Sequence, residues 1–158
     1  MIELLKQKIA KIKDTATERS YYPLLCAFFE EYARSNALKL RNPQATPEET
    51  STQYEHRIGF PDITIRNGND LIGWIEVKIP QENLNAEKFQ EQFSRYKESL
   101  ENIIFTNLRE WQLWQWQEGE AKKTADTAFD LTDINNASSE EFEGFLIKFF
   151  EGHAYQTR

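Results

Sequence analysis

Residues 60–80 read FPDITIRNGNDLIGWIEVKIP, and the fold prediction depends on this stretch. PDITI alternates apolar and polar side chains, and LIGWIEVKI is rich in the β-branched and aromatic residues that strands favour. Between them, Asn67-Gly68 is a pairing typical of tight chain reversals. The stretch therefore predicts a β-hairpin.

Two charged side chains of the second predicted strand need an explanation. Because side chains alternate between the faces of a strand, Glu76 and Lys78 share one face, together with Ile72 and Trp74. A buried charge is costly unless it is paired or bound to a metal. The opposite face of the strand is wholly apolar, which predicts that the strand lies inside the fold: Leu71, Gly73, Ile75, Val77 and Ile79.

The geometry of the turn decides whether Asp62 can join Glu76. If Asn67 pairs with Asp70 around a two-residue turn, Asp62 falls opposite Ile75 and faces away from Glu76. An odd number of loop residues, or one β-bulge, is needed to bring both carboxylates to one face. A regular hairpin without a bulge would exclude a shared site.

Composition limits the class of protein. The chain has 158 residues and 39% hydrophobic content, which matches a single domain, 1–158, with a substantial core. Its formal charge of -7 opposes a large non-specific grip on nucleic acid. Binding to DNA would then need a local basic groove, or another domain or chain.

The redox and membrane signals are weak. The single cysteine, Cys26, lies in an apolar run and cannot form an intramolecular disulfide, so we expect a small core residue. The first residues form an amphipathic charged pattern, with no signal peptide and no run of transmembrane length. We therefore expect a cytoplasmic protein that does not enter a membrane.

Apolar periodicity predicts four helices. The first covers residues 2–13, with Leu4, Leu5, Ile9 and Ile12 on one face. The second should begin near Ser20, since Pro23 is tolerated only in a first turn. The third is capped by Asn85 and carries an apolar stripe from Phe89 to Leu100. The last covers about residues 139–151, after a capping-box pattern of Ser138 and Glu141.

Further strands are expected outside the hairpin. Residues 36–42 suggest a short strand, 43–52 a polar loop, and 53–57 a segment that pairs with the hairpin. ENIIFTN and EWQLWQW read as two strands separated by Leu108 and Arg109, and residues 128–131 as an additional one. Strands mixed with crossover helices predict an α/β domain with a mixed central sheet flanked by helices.

The arrangement of charges resembles a known family. Pro61-Asp62, thirteen residues, and then Glu76-Val77-Lys78 on the next strand resemble the signature of the PD-(D/E)XK nuclease superfamily. The chain looks especially similar to the N-terminal nuclease modules of restriction enzymes fused to adenine methyltransferases, in the stretches GWIEVK, RYK and TNLREWQLW. The resemblance covers about residues 17–117 and implies a restriction-endonuclease-like core of helix, three strands, helix, strand.

The resemblance implies a metal site with Mg²⁺, for which Mn²⁺ is a substitute. Hard Mg²⁺ is commonly held by one or two carboxylates with carbonyl and water oxygens, so Asp62, Glu76 and the Val77 carbonyl would suffice. By resemblance, Glu18 reaches in from the first core helix and binds the metal directly or through water.

The same resemblance assigns the remaining polar groups. Lys78 would stand about 6 to 7 Å beyond Glu76 on the same face, where it orients the water or stabilises charge on the phosphate. Gln92 fixes this lysine or a phosphate, with Gln90 as a competing candidate. Tyr96, one helical turn after Gln92, can face the same site.

Structural alternatives compete with these functional assignments. Asp62 could cap a turn after proline, and Glu76 with Lys78 could be a solvated pair on an exposed sheet. Trp111, Trp114 and Trp116 could stack on bases. Because Trp111 and Trp114 fall on opposite faces of one predicted strand, we favour a core position for at least one of them. For His56 and His153 we favour non-catalytic roles.

The sequence leads to a functional hypothesis with two alternatives. The first choice is a Mg²⁺-dependent endonuclease domain that cleaves double-stranded DNA, with a methyltransferase or specificity domain or subunit as partner; a dimer on DNA is compatible with it. One alternative is a catalytically inactive binding module with the same fold. The other is a different metal-dependent phosphoesterase, for example one that acts on RNA.

Overall fold

A mixed six-stranded sheet organises the part of the chain that the computed structural model describes, residues 1–48, 61–135 and 138–152. The spatial order of the strands follows their order in the chain. Neighbours are antiparallel except for the third and fourth strands, which are parallel. The strands are β1 (Pro43–Pro47), β2 (Ile63–Asn67), β3 (Asp70–Val77), β4 (Asn102–Thr106), β5 (Trp111–Gln117) and β6 (Glu120–Thr127).

Helices cover both faces of this sheet. They are α1 (Ile2–Ala10), α2 (Tyr22–Arg34), α3 (Glu87–Ser99) and α4 (Glu140–Glu151). Parallel neighbours need a crossover connection, and α3 supplies it between β3 and β4. The segment from α2 to β4 therefore has the predicted order of helix, three strands, helix and strand, and the predicted fold class is confirmed.

Two apolar clusters lie on the two faces of the sheet. The larger one packs α1, α2 and α4 against residues such as Ile63, Ile75 and Ile104. The smaller one packs α3 against Trp74, Phe105 and their neighbours. The aromatic stripe of α4 is fully buried, as predicted: Phe142, Phe145, Leu146, Phe149 and Phe150. The sheet is thus covered on both sides, which explains why β3 is apolar on one face and needs partners for its charges on the other.

The N-terminal helices differ partly from the prediction. α1 ends at Ala10 and not at residue 13, and it buries Ile2, Leu5, Lys6 and Ile9, whereas Leu4 is 50% exposed. The apolar face is therefore shifted by part of a turn. The prediction for α2 is confirmed, because Pro23 lies in its first turn, after a short 3-10 helix at Glu18–Ser20.

The edge strand lies at other residues than predicted. Residues 36–42 form no strand, and Pro43–Pro47, predicted as loop, is β1. Both prolines are tolerated because β1 is an edge strand, whose outer backbone groups need no partner. The prediction that residues 53–57 pair with the hairpin lies outside the described residues, as do His56 and His153.

Three further boundaries are corrected. The N-cap of α3 is Ala86 and not Asn85, and no side chain caps this end. The last strand is Glu120–Thr127, directly after the Gly119 turn, so residues 128–131 do not form one. The capping box of Ser138 and Glu141 is not formed, because the N-cap of α4 is Ser139; Ser138 Oγ accepts a hydrogen bond from the Glu140 N–H at 3.3 Å instead.

Two simple expectations can be compared directly with the structure. Cys26 is a free, buried thiol in α2, and burial raises its pKa to about 12, as fits a small core residue. No helix in residues 1–48, 61–135 and 138–152 is long and apolar enough to cross a membrane.

Candidate active site at the bulged hairpin

A β-bulge in β3 sets the geometry of the site. Asn67 pairs with Asp70 around a two-residue turn, in which Gly68 adopts φ +63°. Further along, Arg66 pairs with Leu71 but Ile65 pairs with Gly73, so β3 carries one extra residue, Ile72. Because of this extra residue Ile63 lies opposite Ile75, and the next residue, Asp62, falls beside Glu76, to which its N–H donates a hydrogen bond. The expected irregularity is therefore present, and both carboxylates reach one face.

The bulge also corrects the predicted faces of β3. Ile72 belongs to the cluster under α1, α2 and α4, together with Ile75 and Val77. Leu71 packs instead with Trp74 on the side of α3. The period-two rule was applied through an uninterrupted strand, and the extra residue reverses the assignment of every side chain before it.

The carboxylates of Asp62 and Glu76 each accept a hydrogen bond from a backbone N–H of the other strand segment. Asp62 Oδ2 accepts a hydrogen bond from the Val77 N–H at 2.7 Å. Glu76 Oε1 accepts one from the Asp62 N–H at 3.3 Å. Glu76 is only 3% exposed, so its carboxylate lies almost entirely out of water. The start of β2 and the end of β3 are thus held together at the two acidic groups.

Burial and mutual repulsion make both groups reluctant to ionise. Burial raises the pKa of Glu76 well above its ordinary value, and the neighbouring Asp62 raises it further. The pKa of Asp62 is also raised by burial, although hydrogen bonds from Tyr22 and from the Val77 N–H oppose the shift. Two carboxylates that resist ionisation side by side gain most from a bound cation.

Lys78 is the positive charge of this group. Its Nζ lies 3.4 Å from Glu76 Oε2, and the two side chains are only 13% and 4% exposed. Nζ also donates a hydrogen bond to Gln92 Oε1 at 3.0 Å. It lies 4.5 Å from the centre of the Phe89 ring. The lysine stem is therefore fixed between β3 and α3, with its ammonium at the acidic pair.

The helix α3 contributes a second layer through Gln92 and Tyr96. Gln92 accepts from Lys78, and it also makes a side-chain hydrogen bond to Tyr96, which is 1% exposed. The competing candidate Gln90 is used elsewhere, because its Nε2 donates to the backbone carbonyl of Ala86 at 3.1 Å. The structure therefore brings Gln92 to Lys78 and leaves Gln90 on its own helix.

Sequence reasoning missed Tyr22. This residue of α2 is 6% exposed, and its hydroxyl makes a side-chain hydrogen bond to Asp62. Apolar periodicity, which located α2, carries no sign of a polar partner for one of its tyrosines. The usable signal was chemical, since a buried tyrosine hydroxyl usually finds a hydrogen-bond partner.

Glu18 lies at the margin of the group. It is half-buried in the 3-10 helix before α2, and its charge contributes to the raised pKa of Asp62 and Tyr22. Within the described ranges, no cluster of three or more His, Cys, Asp or Glu side chains could hold a metal ion. Glu18 is thus not joined to Asp62 and Glu76 in one acidic cluster, and its contribution through water stays a prediction.

The donor set nevertheless fits Mg²⁺. Asp62 and Glu76 provide two adjacent carboxylates, and magnesium commonly takes one or two and keeps several waters. The Val77 N–H points to Asp62, and in a strand the N–H and C=O of one residue point to the same side. The Val77 carbonyl is therefore directed to the side of β3 on which Asp62 lies, as an oxygen ligand requires.

The tryptophans do not form a common stacking platform. Trp111 is 1% exposed and donates from Nε1 to the Phe129 carbonyl at 2.9 Å, so it belongs to the core. Trp114 packs on the opposite face of the sheet, where Lys97 Nζ lies 4.0 Å from its ring centre. The structural assignment is confirmed for Trp111.

One solved structure shares the fold of this chain, an α/β domain with a mixed six-stranded sheet between helical layers. A solved structure described as a cryo-EM structure of a DrdV–DNA complex has a TM-score of 0.67 to this chain, at 20% sequence identity. The match covers 96% of this chain and 94% of that one. No family model and no curated protein matches the chain.

Proposed function

We propose that this chain is a Mg²⁺-dependent endonuclease domain of restriction type that hydrolyses phosphodiester bonds in double-stranded DNA. The observation that carries the proposal is the contact between Asp62, Glu76 and Lys78 at the bulged edge of the hairpin. A buried acid beside a second, half-buried acid and a half-buried lysine is expensive in a purely structural role. They match the needs of phosphoryl chemistry, in which negative charge grows on the phosphate oxygens.

Each residue has a role in this proposal. Asp62, Glu76 and the Val77 carbonyl hold the metal, which when bound neutralises charge on the phosphoryl and leaving oxygens. Lys78 orients the attacking water or stabilises the phosphate, and Gln92 holds the lysine in place. Attack in line with the leaving oxygen leaves a 5′-phosphate. By the resemblance, Glu18 would bind the metal directly or through water.

DNA is the preferred substrate because the structural neighbour was solved in complex with DNA. The formal charge of -7 argues against a strong grip by this chain alone. We therefore include a methyltransferase or specificity domain or subunit as the part that reads the target sequence. Dimerisation on DNA would allow both strands to be cut.

The test is cleavage of unmethylated plasmid by the protein in the presence of Mg²⁺, beside Asp62→Ala and Lys78→Ala. The wild type should convert supercoiled plasmid to nicked or linear forms, and both variants should lose at least about 100-fold in rate. A parallel reaction with structured RNA decides between the polymers. Cleavage that survives Lys78→Ala would exclude the proposed mechanism.

One observation favours the inactive binding module as a second candidate. Glu76 already has two protein partners, the Asp62 N–H and Lys78 Nζ, so the pair is satisfied without a metal. Titration with Mn²⁺, followed by calorimetry, separates the two candidates. Binding that is present in the wild type and lost in Asp62→Ala supports the enzyme, whereas no binding in either protein supports the module.

A further inference from the structure

Asn102 lies at the start of β4 and is completely buried. Its side-chain hydrogen bonds go to Ile72, Phe149 and Gln115 and not to the proposed catalytic groups. Its side-chain Nδ2 donates two hydrogen bonds, one to the Ile72 carbonyl and one to the Phe149 carbonyl, both at 2.9 Å. Both acceptors are backbone groups of other elements, β3 and α4. One amide therefore joins three elements in the middle of the core.

The first acceptor, the Ile72 carbonyl, belongs to the bulge. Ile72 is the extra residue of β3 and has no partner in the register with β2. A buried backbone carbonyl without a hydrogen bond costs free energy, so the bulge needs a donor from elsewhere. Asn102 provides this donor from the opposite neighbour strand.

Gly73 shows how closely β4 approaches the bulge. A Cβ atom at this position would overlap the Asn102 carbonyl oxygen and would lie 2.8 Å from Phe149 Cε1. Because glycine has no Cβ, β3 can bring its bulge against the backbone of Asn102. Glycine at 73 and asparagine at 102 thus fit the same local irregularity.

The Asn102 amide is also bonded at its other end. Asn102 Oδ1 accepts a hydrogen bond from Gln115 Nε2 at 3.0 Å, and Gln115 Oε1 accepts one from Thr124 Oγ1 at 2.6 Å. The amide orientation itself is set by the Ile72 and Phe149 carbonyls, because a carbonyl accepts only from the N–H groups.

We infer that Asn102 is a positioning residue that holds the β3 bulge and thereby keeps Asp62 on the same face as Glu76. Glu76 lies three residues beyond Gly73, about 10 Å along the strand, so Asn102 acts without touching the site. Without the bulge the register slips by one, Asp62 falls opposite Ile75, and it turns away from Glu76. The consequence for catalysis rests on the proposed function; the consequence for the register does not.

The experiment compares Asn102→Leu and Asn102→Asp with a matched control, Gln115→Leu. The two Asn102 variants remove donors to the Ile72 carbonyl, whereas Gln115→Leu removes the neighbouring hydrogen bonds of the same network and leaves the Asn102 donors in place. Thermal melts show which variants fold. Nuclear Overhauser contacts in metal-free protein then report the register, and Mn²⁺ titration reports the site.

In the wild type and in Gln115→Leu, we expect backbone contacts between Ile63 and Ile75 and unchanged Mn²⁺ affinity. In a folded Asn102 variant, contacts between Asp62 and Ile75 should appear, and Mn²⁺ should bind at least tenfold more weakly. A folded Asn102 variant with the wild-type register would overturn the inference. So would failure of both Asn102 variants to fold while Gln115→Leu folds, since Asn102 would then support the whole domain.

The register readout separates this inference from the proposed function. If the wild type binds no Mn²⁺ but the Asn102 variants slip, the positioning role stands and the enzyme proposal fails. If Mn²⁺ binds the wild type and the Asn102 variants equally, the positioning role fails and the proposed metal site stands.

Discussion

The Asp62 N–H donates a hydrogen bond to Glu76 Oε1 across the end of the hairpin, with 3.3 Å between the two atoms. This contact exists because one extra residue, Ile72, is inserted into β3. The grouping of two acids and a lysine thus depends on an irregularity of the sheet.

Glu76 should make the metal-free protein less stable as the pH rises. Its pKa is raised by burial in the folded state, so the folded protein holds a proton that the unfolded chain has lost. The stabilising effect of that proton is fully present below the ordinary glutamate pKa and is lost as pH rises through the folded-state pKa. Urea unfolding with a chelator should show this loss, at up to about 1.4 kcal/mol per pH unit.

The control for this prediction is Glu76→Gln, which cannot ionise. The difference in unfolding free energy, wild type minus variant, should fall as the pH rises above the ordinary glutamate pKa of about 4.3. A difference that rises with pH would mean that Glu76 is stabilised as a carboxylate. Added Mg²⁺ should restore the unfolding free energy of the wild type at the higher pH values.

Gln92→Ala should slow cleavage without removing the metal site. The substitution removes the acceptor of the 3.0 Å hydrogen bond from Lys78, so the ammonium loses its fixed position. We expect kcat to fall by about 10- to 100-fold, with Mn²⁺ affinity within about twofold of wild type. Gln90→Ala, two residues away on the same helix, removes only bonds to the Leu84 and Ala86 carbonyls before the helix and should keep wild-type activity.

Tyr22→Phe should weaken metal binding more than it weakens the fold. The hydroxyl hydrogen bond supports the ionised form of Asp62, so its loss should raise the pKa of that carboxyl and reduce Mn²⁺ affinity by about tenfold. Tyr32→Phe is the matched control, because Tyr32 on the same helix bonds Glu143 at 3.3 Å, away from the site. Both variants should lose about 1 kcal/mol of unfolding free energy. Equal Mn²⁺ affinity in Tyr22→Phe and Tyr32→Phe would show that Tyr22 does not contribute to metal binding.

Gly73→Ala should destabilise the protein, whereas Gly144→Ala should stabilise it. A methyl group at 73 would overlap the backbone of β4, which costs about 1 to 3 kcal/mol or more. At 144, in α4, a Cβ has no atom within 4 Å, so alanine gains about 0.5 to 1 kcal/mol in the helix. Urea denaturation measures both changes, and similar midpoints for the two variants would contradict the described packing at the bulge.

Lys6→Met should raise stability. Lys6 is 1% exposed, and its Nζ has no hydrogen-bond partner among the described residues; its ammonium lies 4.6 Å from the centre of the Phe129 ring. Burial of this charge costs more than one cation–π contact returns, so we expect a gain of about 1 to 2 kcal/mol. Lys8→Met on the exposed side of α1 should change stability by less than about 0.5 kcal/mol. A Lys6→Met protein with a melting temperature below that of the wild type would show that the Lys6 ammonium stabilises the fold.

Local pattern was sufficient for most of the elements. Alternation of side chains and the Asn-Gly turn identified β2 and β3, and aromatic spacing identified α3 and α4, because these signals arise from the faces that each element buries. Edges and ends were predicted less well. β1 was predicted as a loop because proline weakens the strand signal, and only its place at the edge of the sheet makes proline acceptable.

The sequence by itself singled out the candidate residues: Glu76 and Lys78 as charges on a strand expected inside the fold, and Asp62 through the resemblance to a nuclease signature. It also determined that a regular hairpin could not bring the two acids together. Only the tertiary structure decided where the irregularity lies, which glutamine reaches Lys78, and that Tyr22 joins Asp62. The physical reason is that a bulge is stabilised by groups distant in the chain: the Asn102 amide lies 30 residues from Ile72, and no local pattern encodes that contact.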